Sequence, residues 1–331
     1  MVTLKNVAEE AGVSVRTVSV VLNGKATEGR ISKAIEARIL KIAAEMDYRP
    51  NAMARATRTR RTLQIGVLVR ELSNPNTGRN IEMIGQYLQQ RGYKILLGLS
   101  NGRVEVARAY LSDFLRGMVD GILNMEPALG TADFRKAGVR VPYVHLQRRS
   151  PGFNLRIDWE DGVRQIVNHF AGLGHRTFGF ISGPAKDPSS HARLRGFERV
   201  MKNHPAGAVG CVRYGDWSLE AGLAHMPELR REGCTAVIGA NDMMAIGAIR
   251  WAHMCGLSVP GDFSVAGFDD TLSARLIWPS LTSVNVPMPR VAELSVEALV
   301  NMIEGKPGGP AVLMPMTLCV RDSSGPCPAS A

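Results

Sequence analysis

From Leu63 onward the chain reads as short, unbroken apolar runs separated by amphipathic stretches. LQIGVLV is followed by a helical pattern around residues 81–91, then KILLGL, a second helix near 105–115, DGILNM, and PYVHL after Val141. Runs that are apolar at every position, rather than at alternate ones, describe strands covered on both faces. Helices between such strands supply the crossovers that a parallel sheet requires. The pattern restarts after about residue 160, where a helix bearing Val163, Ile166, Val167 and Phe170 leads to TFGFISG. CVRY, TAVIGA and FSVAGF follow, spaced by helices near 193–201, up to about 231, and through MMAIGAIRWAHM. The expectation is two doubly wound α/β lobes with a cleft between them. Ligands of such sheets bind beyond the carboxyl ends of the strands.

Several polar residues stand where they could face that cleft. Gln147 follows PYVHL, Asn241 and Asp242 follow TAVIGA, and Asp269 and Asp270 follow SVAGF. Arg193 opens a helix after ISGP and a polar loop, and Trp217 lies in GDW after the strand ending at Tyr214. An acid and an amide bond vicinal hydroxyls, and an indole can lie on an apolar sugar face, so the set suits a polyol. Each residue also has a plainer reading. Asp and Asn cap helices that follow strands, and a single Trp is more often core or rim than a ligand platform.

The first 62 residues follow a different period. Leu4, Val7, Ala8 and Ala11 fall at i, i+3, i+4, i+7 and form one apolar stripe, with Thr3 as cap. Gly12 supplies a turn and Val13 can plug the angle. Ser14 caps a second helix whose inner face is Val18, Val21 and Leu22, and Gly24 ends it. Ser32 caps a third helix with Ile35, Ile39, Ile42 and Ala43 inward. Three short helices with a glycine turn between the first two describe a helix-turn-helix, whose second helix enters the DNA major groove N-terminal end first. Ser14 and Thr17 suit phosphates, and Arg16 can reach a guanine edge or a phosphate. Pro50 stops the third helix, and Asn51 caps a short segment from about residue 52 to 58, in a stretch crowded with arginines.

TLKNVAEEAGVSVRTVSVVLNG followed by YRPN resembles the lactose-repressor/galactose-repressor (LacI/GalR) family of bacterial transcriptional regulators. GPAKDPSSHARLRGF, GDWSLEAG, GANDMMAIGAI and VAGFDDTLSARLIWPSLTSV extend the likeness over essentially the whole chain. The resemblance implies a headpiece over residues 1–49, a hinge helix over 50–62, and a two-lobed α/β effector-binding and dimerisation domain of the periplasmic-binding-protein kind over 63–331. Lobe one would take about 63–160 plus 289–320, whose strands complete its sheet. Lobe two would take 161–288 and the C-terminal end. It further implies that Ser14, Val15, Arg16, Thr17 and Val20 face the major groove of a pseudo-palindromic operator. Asn51, Ala54, Arg55 and Thr57 of the hinge would meet the minor groove, where the family wedges a leucine between base pairs. Gln147, Arg193, Trp217, Asn241 and Asp269 match its effector-contacting positions, for a sugar or sugar-like metabolite.

Three departures bear on specificity. The family's usual recognition-helix arginine is Val20 here, which can touch a thymine methyl but cannot donate to guanine. Thr57 stands where leucine is usual, and Gln147 where a carboxylate often binds the sugar. A different operator, less bending and an altered ligand contact are expected. The end of the chain, GPCPASA, has no leucine heptads, so the expected assembly is a homodimer.

Charge supports the division. The net charge is +10, and residues 1–62 hold twelve basic against six acidic side chains, an excess of six in under a fifth of the chain. That favours a polyanion partner at the front. No apolar run approaches a membrane span, and no apolar signal region opens the chain, so a cytoplasmic, nucleoid-associated protein is expected. The five cysteines form no C-x-x-C and no ligand spacing with histidine, so reduced, mostly buried thiols and no metal or cofactor are expected. Two rivals are weighed. A two-lobed sugar-binding protein without operator-specific DNA binding would have no use for the front helices. An enzyme would show a nucleophile elbow, zinc motif or phosphate loop, and none is present. His175 in LGHR reads as a helix-end residue near a sheet.

Overall fold

The computed structural model describes residues 2–22, 26–27, 29–49, 56, 59, 61–146, 149–204 and 209–328. Contacts divide the chain into Met1–Leu63 and Gln64–Ala331.

In the first unit, α1 (Leu4–Ala11), α2 (Val15–Leu22) and α3 (Lys33–Glu45) enclose a small core of Val7, Ala8, Val18, Val21 and Ile39. Thr3 and Asn6 form a reciprocal capping box, each side chain accepting from the other's backbone N–H. Gly12 turns the chain at φ +61, a left-handed conformation costly for residues with a Cβ. Ser14 Oγ then accepts from Thr17 N at 3.1 Å, and Ser32 Oγ from Ile35 N at 3.4 Å.

The second unit runs β1 (Gln64–Val69), α4 (Pro75–Gln90), β2 (Lys94–Leu99), α5 (Val104–Asp113), β3 (Gly121–Asn124), α6 (Thr131–Lys136) and β4 (Tyr143–His145). These strands form a parallel sheet in the order β2-β1-β3-β4. β5 (Arg149–Ser150) and β6 (Phe153–Ile157) lead to α7 (Trp159–Gly172) and the second lobe. There follow β7 (Thr177–Ser182), α8 (Pro188–Asn203), β8 (Val209–Tyr214), α9 (Leu219–Arg231), β9 (Ala236–Gly239), α10 (Asp242–Met254) and β10 (Ser264–Phe268). The chain ends with α11 (Leu272–Leu276), β11 (Thr282–Asn285), α12 (Met288–Ile303), β12 (Val312–Met314) and β13 (Thr317–Cys319). The second sheet has the order β13-β11-β10-β9-β7-β8, parallel except for β13. The continuous apolar runs are its central strands, as their composition requires: β9 and β10 are buried at every residue.

The closing segment departs from expectation. α12 does return to lobe one, where a Cβ on Gly121 of β3 would lie 3.0 Å from Leu299. β12, however, pairs with β6 in a separate three-stranded sheet. β13 does not complete the lobe-one sheet; it pairs antiparallel with β11 in lobe two. Gln165 of α7 holds it there, donating to Met316 O at 3.1 Å and accepting from Leu318 N at 2.9 Å. The C-terminal stretch is tied down further at His175, which is fully buried. Its Nε2 lies 3.0 Å from Gly325 O, and its Nδ1 3.0 Å from Thr235 Oγ1.

The cysteines form no disulfide among the described residues, but only Cys234 is buried; Cys255 is exposed and Cys211, Cys319 and Cys327 are half-buried. Three of these lie on or beyond edge strands or helix ends, where solvent reaches them. No helix among the described residues is long and apolar enough to cross a membrane.

Candidate functional site

The strand-end loops of the two lobes meet around a cavity of about 150 Å³. Four of the five effector candidates line it: Arg193, Trp217, Asn241 and Asp269. The fifth, Gln147, lies outside the described residues. Arg193 sits more than a turn inside α8 rather than opening it, because Asp187 caps that helix earlier, accepting from Ser189 N at 2.8 Å. The guanidinium is therefore carried into the cavity by a formed helix. It lies 3.7 Å from Asp269 Oδ1, with its carbon 3.7 Å from the centre of the Trp159 ring and 5.0 Å from that of Trp217. Its Nε is buried and has no acceptor. A buried donor without an acceptor is costly, and here it borders a cavity where a ligand oxygen can meet it.

Trp217 adopts φ +75, unusual for a residue with a Cβ, and its ring packs so closely on Gly183 that a Cβ there would lie 2.2 Å from it. Its Nε1 donates to Asp187 Oδ2 at 3.2 Å. Asn241 is committed to structure: its Oδ1 accepts from Met244 N at 2.9 Å to cap α10, and its Nδ2 donates to Trp217 O at 3.0 Å. The plain capping reading thus holds for Asn241 while it borders the cavity and fixes the indole.

The adjacent acids are sorted by the backbone. Asp269 (φ +99) and Asp270 (φ +48) both stand in positive-φ conformations. Asp269 points into the cavity. Asp270 turns away, accepting from Arg275 at 2.6 Å and from Asn285 Nδ2 at 3.0 Å, and also pairing with Arg321. Asp242 likewise serves the fold, accepting from Thr271 N at 2.7 Å and Ser283 Oγ at 2.6 Å. Neither Asp242 nor Asp270 lines the cavity. Burial pushes the Asp269 carboxyl up to about 6, against the opposing pull of the Arg193 charge and an Asn76 hydrogen bond. Burial, with the Asp269 charge second, pushes Asp242 up to about 7.

Lobe one supplies residues that sequence reasoning missed. Arg70, just past β1, reaches across to Asp187 at 2.9 Å. Asp187 is 3 % exposed, and burial alone would raise its carboxyl; the Ser189 amide, the Arg70 charge and the Trp217 indole outweigh that and hold it below the ordinary carboxylate range. Asn74, Asn76 and Thr77 at the start of α4 also line the lobe-one wall, with Glu71, Met125 and Pro127. A sign of Asp187 was present in the sequence: D-P-S-S ahead of a helical pattern is a cap followed by a proline in the first turn.

In the first unit, Val15 and Arg16 are exposed on α2, and Thr17 and Val20 are partly so. Ser14 and Thr17 share a 2.9 Å hydroxyl contact at the N-terminal end of α2. Val15, Arg16 and Val20 lie outside the stripe of the buried Val18 and Val21, and Ser14 and Thr17 precede those two by one turn at the N-terminal end. The hinge candidates Asn51, Ala54, Arg55 and Thr57 lie outside the described residues. No group of three or more His, Cys, Asp or Glu among the described residues could hold a metal ion.

Known proteins share both parts. Residues 3–51 match the family described as bacterial regulatory proteins, lacI family, and residues 167–324 match a periplasmic binding protein-like domain. The HTH-type transcriptional repressor PurR of Edwardsiella ictaluri (strain 93-146) is 31 % identical over 323 residues, covering 92 % of this chain and 92 % of that protein. A lac repressor dimer bound to operator and the anti-inducer ONPF superposes with a TM-score of 0.85 at 28 % identity, covering 97 % of this chain and 98 % of that one. The transcriptional regulator CelR in complex with cellobiose gives 0.70 at 30 % identity, over 98 % of this chain and all of the other.

Proposed function

The chain belongs to the lacI family of bacterial regulatory proteins, and from that premise we propose that it represses transcription under the control of a small polar, sugar-like ligand. It is a transcriptional repressor of that family and not an enzyme. The observation that carries the ligand reading is the buried Arg193 Nε, a donor without an acceptor beside a cavity that also holds the Asp269 carboxylate. A hydroxyl-bearing molecule satisfies both, its oxygen accepting from Arg193 and its O–H donating to Asp269. The CelR–cellobiose complex, a structural relative, is consistent with a carbohydrate occupant.

Ser14, Val15, Arg16, Thr17 and Val20 present α2 to the major groove of a pseudo-palindromic operator, and the hinge residues Asn51, Ala54, Arg55 and Thr57 enter the adjacent minor groove. Residues 1–49, 50–62 and 63–331 act as headpiece, hinge and regulatory body. Gln147 adds a donor-acceptor contact to the ligand. The working form is a homodimer, as in the operator-bound lac repressor. Leu272, Leu276 and Trp278, at 67 %, 74 % and 79 % exposure, form an apolar surface suited to a partner copy. The protein works in the cytoplasm, on the nucleoid. Ligand binding controls repression because the two lobe arrangements hold the ligand unequally; equal affinity would shift nothing.

The test is fluorescence anisotropy of the full chain on its own upstream intergenic DNA and on a scrambled duplex, across a salt series. A preference of roughly three decades for the native duplex supports an operator-specific repressor. Equal binding with a steep salt dependence points instead to phosphate contacts alone, and to a sugar-binding protein without operator recognition. Repeating the titration with mono- and disaccharides then reads the sign of the coupling.

A further inference from the structure

A second cavity, of about 340 Å³, lies against another face of α8, where the chain crosses from lobe one to lobe two. Arg156 at the end of β6 stands on one side of it, and Arg195 and Arg199 of α8 on the other. Two carboxylates also line it, one paired with arginines and the other capping a helix. Glu160 pairs with Arg199 at 2.6 Å and with Arg164 at 3.3 Å. Asp158 caps α7, accepting from Asp161 N at 3.1 Å. Arg156 and Arg195 have no carboxylate partner among the described residues. Arg195 and Arg199 are one turn apart on a single helix face, a spacing at which like charges repel and weaken the helix.

We propose that this cavity is a second binding site, for a small dianion: a phosphate monoester or a dicarboxylate. A dianion between Arg156 and Arg195 meets two guanidinium forks whose planar donors match phosphate or carboxylate oxygens in pairs. Ile157 and Leu313 supply an apolar wall for a short carbon chain. The floor is closed, because α8 rests on the start of α7: a Cβ on Gly196 would lie 3.1 Å from Glu160 Cα.

Its place in the fold gives occupancy a consequence. Arg156 belongs to the strand set around β6, and Arg195 and Arg199 to a lobe-two helix, so a bound dianion joins the two sides of the crossover. Trp159 lines this cavity and also carries the Arg193 guanidinium on its ring. Binding here is thus one side chain away from the first cavity. That consequence rests on the ligand reading of the first cavity proposed above; binding itself does not.

The experiment is isothermal titration of the full chain with inorganic phosphate, glycerol 3-phosphate and succinate at constant ionic strength. The wild type is compared with the double variant Arg156→Gln/Arg195→Gln and with Arg70→Gln. Both arginines of the double variant are exposed, so its unfolding curve should match the wild type. Saturable one-to-one binding is expected, weakened at least ~10-fold in the double variant and unchanged in Arg70→Gln, since hydrogen bonds to charged groups are lost only in the former. The anion that binds most tightly identifies the headgroup. Heats that do not saturate, equal affinity in the double variant, or loss in Arg70→Gln alone would each overturn the proposal; the last would place the anion in the first cavity.

Discussion

The two lobes meet at one cavity but contribute to it differently. Lobe two brings buried groups fixed by one another: Asp187 caps α8, Trp217 leans on Asp187, Asn241 holds the Trp217 carbonyl, and Arg193 faces Asp269. Lobe one brings Arg70, 27 % exposed, and the first residues of α4. The same contrast appears behind the site. α9 and α10 of lobe two touch backbone to backbone, since a Cβ on Gly222 would lie 2.0 Å from Met244 O. Gly85 in α4 of lobe one meets only Ile95, at 3.5 Å, which is ordinary contact. Lobe two holds its polar groups fixed against one another, and lobe one adds Arg70 from a better-solvated position. Such preorganisation limits the freedom lost on binding.

The largest effect should come from unpairing lobe two. Asp269→Ala leaves the buried Arg193 charge without its nearest carboxylate, and breaking a buried pair costs about 3 kcal/mol or more. Asp269→Asn, which keeps a polar group and tolerates positive φ better than Ala, should lose less. Urea unfolding of both variants checks this; an Ala variant as stable as wild type would mean that the pair does not organise the lobe.

Next in size is the helix contact. Gly222→Ala forces α9 away from α10, with a strain of about 1–3 kcal/mol, partly offset by the better helix propensity of Ala, about 1 kcal/mol. Gly85→Ala has that propensity gain and no clash, so it should be neutral or stabilising. Opposite signs in paired denaturation curves sharpen the contrast between lobes; equal destabilisation would break it. Arg70→Ala should cost less again, about 1 kcal/mol at most, because the ion pair is partly solvated on one side and Asp187 keeps Ser189 N and Trp217 Nε1. A larger loss of stability would make lobe one an equal partner.

Much of this could be read from the sequence, and the limits have physical causes. The unbroken apolar runs showed β1, β9 and β10, because burial on both faces leaves no other composition for a strand. The caps Thr3, Ser14 and Ser32 showed the front helices, since each precedes an apolar stripe. β12 and β13 are three residues each, too short for a period to indicate a partner, and β13 is held in place by Gln165, more than a hundred residues away. Asp187 was hidden in a polar loop, and Arg70 at the end of a strand that already accounted for itself. Asp269 and Asp270 look equivalent in sequence. Their backbone angles differ, φ +99 against φ +48, and one carboxylate faces the cavity while the other meets Arg275.

A pH dependence is the effect most specific to lobe two. Asp242 is held at about 7 by burial and by the charge of Asp269, against about 3.9 for an unfolded aspartate. The native state therefore binds this proton more tightly than the unfolded chain does, and stability falls as pH rises from about 4 through about 7. Above that window both states are ionised and the contribution is constant. Asp242→Asn has no proton to lose, so this fall is absent. Its stability relative to wild type should improve between pH 5 and pH 8, with most of the change complete by about pH 7. The amide oxygen can keep both Thr271 bonds, while the Nδ2 that replaces the other oxygen donates to Ser283 Oγ instead of accepting from it, so the variant should fold. Measuring unfolding free energy for both proteins at several pH values reads this group together with Asp269, whose charge is coupled to it, against the more distant carboxylates, which titrate alike in each. Curves that run parallel from pH 5 to pH 8 would mean that lobe two holds Asp242 ionised without cost. The three hydrogen bonds from Thr271 and Ser283, rather than burial, would then dominate its environment.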